Sequence, residues 1–209
     1  MEQKEQQLLQ QVDKLFMRCG IKSLTMDDIS RELGISKKTL YIHCSDKEDL
    51  LIKCFSFHFK CEEAFQESIR LKNLNAIDEL FEVINHVSEM LKTIHPSIHY
   101  DLRKYYPEAW KIFSEYKKSF LYKSVSENME KGKREGLYRE NLNIPIVARI
   151  YLSRIDVIFD GELFPPNTFS FPEVFFEMLR YHIRGISSPK GIEYFMNKIK
   201  TIDPQNLKK

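Results

Sequence analysis

Residues 25–43 read TMDDISRELGISKKTLYIH, and the fold is decided there. Thr25-Met26-Asp27-Asp28 is a capping-box-like start, with the threonine oxygen available to an orphan amide. Met26, Ile29 and Leu33 then face one way, and Gly34 stops the run. Ser36 is placed to cap a second short helix reaching about Cys44. Only Gly34, Ile35 and Ser36 separate the two. Two short helices joined by a three-residue turn with glycine make a helix-turn-helix. Ser30 keeps the crossing point small, where a large side chain would push the helices apart.

Outward from this pair, helical spacing continues in both directions. A first helix is expected from about residue 3 to Cys19, with Leu8, Val12, Leu15 and Phe16 as its apolar stripe. Gly20 follows, where a left-handed cap belongs. Ser45-Asp46-Lys47-Glu48 has the form of a full capping box and opens a long fourth helix from Asp46 to about Leu71. The small core expected is Leu8, Val12, Leu15, Phe16, Ile29, Leu33, Ile35, Leu40 and Leu50. Further helices are expected at about 74–93, 101–118, 119–136, 145–160, 171–186 and 189–200. Pro107 starts or kinks one of them, and Pro145, Pro172 and Pro189 lie near helix starts, where a missing N–H costs little. Alternating period-2 runs are few and short, so the class is all-α.

Composition narrows the function. The 209 residues contain 43% hydrophobic and 30% charged residues, ordinary values for a globular chain that needs no disulfide or metal staple. The formal net charge of +2, from 32 basic and 30 acidic residues, excludes a uniformly basic coat but not a local basic edge. The opening residues carry acids and no apolar run, unlike a signal peptide, and nothing approaches a membrane-spanning length. Cys19, Cys44, Cys54 and Cys61 form no CxxC pair and read as reduced thiols, so a cytoplasmic location is expected. No Gly-rich phosphate loop, HExxH or G-x-S-x-G occurs, and no carboxylate spacing singles out an acid–base pair, so an enzyme is not expected.

The third helix leaves Lys37, Lys38, Thr39, Tyr41, Ile42 and His43 without an obvious core role. Two lysines at its start oppose the helix dipole, a cost that a nearby phosphate offsets. Lys47, in the first turn of the fourth helix, sits where backbone N–H groups favour an anion. The pattern suits a helix laid in the major groove of DNA, flanked by phosphate contacts. The other reading is a solvated face on a structural three-helix bundle.

The run LFMRCGIKSLTMDDISRELGISKKTLYIHCSDKEDLL, from Leu15 to Leu51, sharpens this. Residues 8–50 resemble the DNA-binding domain of the TetR family of transcriptional regulators. The likeness is carried by T-x-x-D-I-x-x-x-L-G-[IV]-S, then T-L-Y-x-H, then S-x-K-E-x-L. It departs at Gln11-Val12, where the family favours two alanines, at Ser30 for alanine, at Lys38 for a small residue, and at Cys44 for phenylalanine. The resemblance implies a helix-turn-helix DNA-binding domain over residues 1–50 and an effector-binding and dimerisation domain over 51–209. It implies phosphate contacts from Thr25, Tyr41, His43 and Lys47. Lys37, Lys38, Thr39 and Ile42 become the candidates for base-edge readout, with Ser36 as cap. The partners implied are an operator in double-stranded DNA, a second copy of the chain and an apolar or aromatic small molecule, with no cofactor and no membrane. A repressor released from a palindromic operator is the reading the family favours. A DNA-binding adaptor is the alternative.

Aromatic residues crowd the stretch from Phe55 to Tyr122. Phe65, Tyr100, Tyr105, Trp110, Phe113, Tyr116 and Phe120 are the candidate lining of the effector pocket, with plain core packing as the competing reading of each. The helices at 145–160 and 171–186 carry too much apolar surface for one face, so a second subunit is expected on them. Ile150, Ile158, Phe175, Met178, Leu179, His182 and Ile183 are the candidate contacts of a C2 homodimer. Cys54, His58 and Cys61 stand at i, i+4 and i+7 on the fourth helix, an arrangement open to a metal- or thiol-responsive regulator as well as to core packing. His95 and His99 flank Pro96 near Asp101 and are expected to be caps or loop residues.

Overall fold

The computed structural model describes residues 3–202, so residues 1–2 and 203–209 of the expected domains lie outside it. Helices account for most of the described residues: α1 (Gln3–Cys19), α2 (Met26–Glu32), α3 (Lys37–His43), α4 (Lys47–Arg70), α5 (Ala76–Thr93), α6 (Ile98–Tyr105), α7 (Pro107–Tyr116), α8 (Tyr122–Arg134), α9 (Ile144–Ser153), α10 (Ile155–Ile158), α11 (Phe171–Ile186) and α12 (Pro189–Ile202). Among the described residues there is no strand, only an isolated antiparallel bridge between Tyr138 and Ser187. A π-turn, Lys117–Leu121, joins α7 to α8.

The helix boundaries follow local chemistry. Thr25 closes the capping box that opens α2: its Oγ1 accepts from Asp28 N, and Asp28 accepts from the Thr25 amide. Gly20 and Gly34 take the left-handed conformation at φ +81° and +65°, ending α1 and the α2 turn. The long helix departs from the expected register. Asp46, not Ser45, caps α4 by accepting from Asp49 N, and Asp49 reaches back to the Ser45 amide. Glu48 is left to accept from Glu108 N instead. The helix expected at 101–118 is two, because Pro107 lacks the amide a continuous ladder needs and starts α7. The helix expected at 145–160 is likewise broken between Ser153 and Ile155.

The chain divides into two compact units. One holds the described residues up to 67 together with 89–120, and the other holds 68–88 together with those from 121 onward. In the first, Leu9, Val12, Leu15, Phe16, Ile29, Leu40, Leu50 and Leu51 form the centre of the core. Leu9 takes the fully buried place expected of Leu8, which packs at the edge with Leu33 and Ile35. Cys44 is buried where the family favours phenylalanine, and its thiol reaches the Leu40 carbonyl.

The second unit is held by close backbone approach and by polar contacts. A Cβ on Gly132 would lie 2.1 Å from the Tyr138 ring, and one on Gly191 would lie 1.9 Å from the Leu137 carbonyl oxygen, so neither position admits a side chain. Tyr138 is fully buried and bonds Asn128 at 3.1 Å. Asp78 gathers Lys198, Tyr194 and Asn75, tying α12 to the start of α5.

Candidate nucleic-acid interface

Helix α3 is seven residues long, and Leu40 is its one buried residue. Burying a leucine in full supplies about 2 kcal/mol, so this side chain anchors the helix while the rest of α3 stays on the surface. Lys37, Lys38, Thr39, Tyr41 and Ile42 are exposed, and His43 is half-buried. No acidic residue occurs on the helix.

The candidate contacts do different things there. Ser36 accepts from Thr39 N, and its hydroxyl bonds that of Thr39 at 2.7 Å, so both serve the cap. Thr25 is committed to Asp28, whose carboxyl falls to about 2 under hydrogen bonds from Thr25 and the charge of Arg31. Lys37 reaches across to Asp27 on α2 at 2.8 Å, and that bond raises its own pKa. Lys38, one residue on, has no ion pair among the described residues. Tyr41 and Ile42 point outward at 43% and 73% exposure.

Lys47 is placed differently from a surface phosphate contact. Its ammonium donates to the carbonyls of Ile21, at 2.6 Å, and Leu24, and burial lowers its pKa. It forms part of a polar junction that the sequence did not reveal. Asp101 on α6, only 4% exposed, accepts from the Lys22 amide at 3.0 Å and the Ser97 hydroxyl at 2.9 Å. His95 donates its amide to Met17 O and bonds Ser97 through its ring. Gly20 is required there, because a Cβ would lie 2.7 Å from Ser97 Oγ. The junction ties the α1–α2 loop and the first turn of α4 to the start of α6. Sequence carries no sign of it, because half of its partners are backbone atoms.

The candidate pocket residues fall into two groups. Trp110, Phe113, Tyr116 and Phe120 join Phe55 and Phe59 of α4 in a continuous aromatic cluster. Phe59 stacks on Tyr116 at 4.2 Å between centroids, and Tyr116 stacks on Phe120 at 5.4 Å. Trp110 lies 5.3 Å from Phe113 and edge-on to His99. Burial pushes the Tyr116 phenol well above its ordinary range. Tyr100 and Tyr105 lie apart from this on the exposed side of α6, edge to face with each other, with Lys22 over Tyr105 and Lys104 over both rings. They are a surface cation–π group rather than part of the cluster. Phe65 is half-buried on α4.

The apolar stripe of α11 is spent within the chain. Phe175, Leu179 and Ile183 are buried there, as is Ile158 on α10, so a second subunit would find these side chains already covered. Ile150 is 47% exposed, and Met178 and His182 are half-buried. Ile146 on α9 and Phe176 and Tyr181 on α11 also keep large apolar surfaces in solvent. His182 meets Tyr151 of α9 at 4.3 Å, and burial, helped by Arg154, lowers its pKa to about 4.

The packing gives the three metal or thiol candidates of α4 different surroundings. Cys54 is fully buried with its thiol toward Leu9 O, His58 bonds Asp13 at 3.1 Å, and Cys61 is exposed. Cys54 and His58 are each bonded to a residue of α1, and among the described residues no group of three His, Cys, Asp or Glu side chains is placed to hold a metal. Burial raises the Cys54 thiol well above its ordinary pKa, which makes it unreactive. Among the described residues no helix is long and apolar enough to cross a membrane.

Residues 8–54 match the family described as bacterial regulatory proteins, tetR family. Over 185 residues the chain is 22% identical to YvaF, an HTH-type transcriptional regulator of Bacillus subtilis, covering 88% of this chain and 96% of that one. A TetR-family transcriptional regulator from Agrobacterium tumefaciens shares the fold with a TM-score of 0.69, at 18% identity over 89% of this chain and 99% of that one. The transcriptional regulator FadR from Bacillus subtilis, solved in complex with stearoyl-CoA, matches with a TM-score of 0.65, at 20% identity over 86% and 98% of the two chains.

Proposed function

We propose that this chain, a TetR family transcriptional regulator with a DNA-binding helix-turn-helix, is a repressor that leaves a palindromic operator when a small molecule binds. The observation that carries the reading is α3 itself. It is an acid-free helix anchored by Leu40, with Lys38, Tyr41 and Ile42 standing in solvent. Residues 1–50 act as the DNA-binding domain and residues 51–209 bind the effector and the second subunit. Tyr41 and His43 hold phosphates, which position the protein without reading sequence.

A C2 dimer presents two copies of α3 about one DNA turn (~34 Å) apart. Its surface is the exposed side of α9 and α11, at Ile146, Ile150, Met178, Tyr181 and His182, rather than the stripe already buried. The effector is an apolar or aromatic molecule that inserts among the rings around Phe59, Trp110, Phe113 and Tyr116. The stearoyl-CoA complex of FadR, a protein of the same fold, supports an apolar occupant. The effector acts by preferring a state with lower operator affinity, and its effect is limited by its differential affinity for the two states.

Fluorescence-anisotropy titration of wild type and Tyr41→Ala tests this, against DNA from upstream of the protein's own gene and a scrambled control at several salt concentrations. Salt-sensitive binding that prefers the native DNA and weakens by about tenfold in the variant is expected. No binding by the folded wild-type dimer at low salt overturns the reading.

A further inference from the structure

The outward face of α3 carries an unusual pairing. Ile42 is 73% exposed, more than any other aliphatic residue of the helix-turn-helix. Its neighbours on the helix are Lys38 four residues earlier, Thr39 three earlier, and Tyr41 and His43 on either side. Asp27 of α2, which reaches the helix, is taken by Lys37. Ile42 is therefore a single apolar spot inside a cationic and polar rim. A protein partner that buries apolar surface wants a contiguous patch, which this is not. The major groove of B-DNA offers a matching target: its base edges are polar except for one group, the C5-methyl of thymine.

Lys38 and Ile42 lie four residues apart, on one face of the helix, about 6 Å along its axis. Successive base pairs rise about 3.4 Å and a helix in the groove is inclined to the DNA axis, so the two side chains address positions within about two base pairs of each other. Of the two lysines, Lys37 is held by Asp27, while Lys38 is the one with no ion pair among the described residues. An ammonium in the major groove finds its best acceptors at O6 and N7 of guanine.

We propose that α3 reads each operator half-site through a thymine methyl against Ile42 and a guanine within about two base pairs of it against Lys38. This rests on the DNA-binding reading above and adds the bases recognised.

The test begins with the full-length wild-type protein selecting its preferred sequence from random duplex DNA. Each thymine of the selected half-site is then replaced by deoxyuridine, which removes only the methyl group, and each guanine by 7-deazaguanine, which removes only N7. Binding is followed by anisotropy for wild type, Ile42→Ala and Lys38→Ala. One thymine per half-site is expected at which deoxyuridine weakens the wild type about fourfold, the value of one buried methyl, and leaves Ile42→Ala unchanged. One guanine is expected at which the deaza base weakens the wild type and not Lys38→Ala.

Both variants lie on the surface, and their thermal midpoints should match the wild type, so a folding defect is separable. If the protein selects a sequence but no methyl matters, or deoxyuridine weakens Ile42→Ala as much as wild type, this proposal falls and the regulator reading stands. If the wild type selects no sequence at all, the regulator reading itself falls.

Discussion

Helix α3 and the aromatic cluster around Phe59 belong to the same compact unit and treat their side chains in opposite ways. On α3 Leu40 is buried, His43 is half-buried and the others stand in water. In the cluster the rings of α4 and α7 lie against one another, with Phe59 touching Phe55, Phe113 and Tyr116. The reason is the cost of exposure. The lysine ammonium and the threonine and tyrosine hydroxyl groups are well solvated, so a surface meant for a large polar partner can stand open. Exposed aromatic surface is penalised by water, so the rings close over one another. A small molecule entering there must part these contacts, and its affinity is reduced by that cost. The first region should therefore be mutable with little change in stability, and the second should not.

The largest effect is expected at the centre of the cluster. Phe59→Ala should lower unfolding stability by about 3–5 kcal/mol, measured by chemical denaturation. A loss below about 1 kcal/mol would break the comparison. The polar junction stands between the two regions in character. Asp101→Ala leaves the Lys22 amide and the Ser97 hydroxyl without their acceptor, and a loss of about 1–3 kcal/mol is expected. Asp101→Asn should lose less, since its amide oxygen still accepts from the Lys22 amide.

The second unit offers a pH test. The folded pKa of His182 is about 4 against an ordinary 6.5, lowered first by burial and then by Arg154. The unfolded chain takes up this proton first, so the contribution of His182 is complete above about pH 6.5 and is lost as pH falls toward 4. His58, in the first unit, has the opposite sign. Burial opposes its charged form, but the hydrogen bond and charge of Asp13 outweigh it and raise the pKa, so its contribution is present at low pH and fades as pH rises through the folded value. Between pH 7 and 5, His182→Gln should lose less stability than wild type, by about 1–2 kcal/mol after solvent screening of a half-buried group. An identical pH profile for the two proteins would remove the group from the account.

The smallest effect belongs to α3. Asp27→Ala frees Lys37 from its ion pair, and stability should stay within about 0.5 kcal/mol of wild type. The salt dependence of DNA binding should steepen by about 0.9 in log–log slope, the value of one added phosphate contact. An unchanged slope would mean that Lys37 already leaves Asp27 when DNA binds.

The helix-turn-helix was legible because its signals are local. Thr25, Gly34 and Ser36 fix helix ends within a few residues, and Ile29 and Leu40 mark the buried face. The same local rule misplaced the α4 cap by one residue, since Ser45-x-x-Glu48 and Asp46-x-x-Asp49 compete and sequence does not weigh them. Cys54, His58 and Cys61 share a stripe by spacing, yet α1 lies across that stripe and takes Cys54 and His58 for its own contacts. On α11 the excess of apolar surface was legible, but Phe175, Leu179 and Ile183 serve the chain's own core and leave Phe176 and Tyr181 as the exposed surface.

By itself, then, the sequence determined the all-helical class, the two short helices with their turn, and which side chains α3 holds away from the core. These depend on interactions a few residues apart, which composition and spacing encode directly. Tertiary structure alone decided that Lys47 turns inward to two carbonyls, that Asp101 holds the Lys22 amide, and that the α11 stripe is already covered. Each of these is a contact between distant segments, several through backbone atoms that every residue shares, and no pattern of side chains along the chain can announce a partner that carries no side-chain identity.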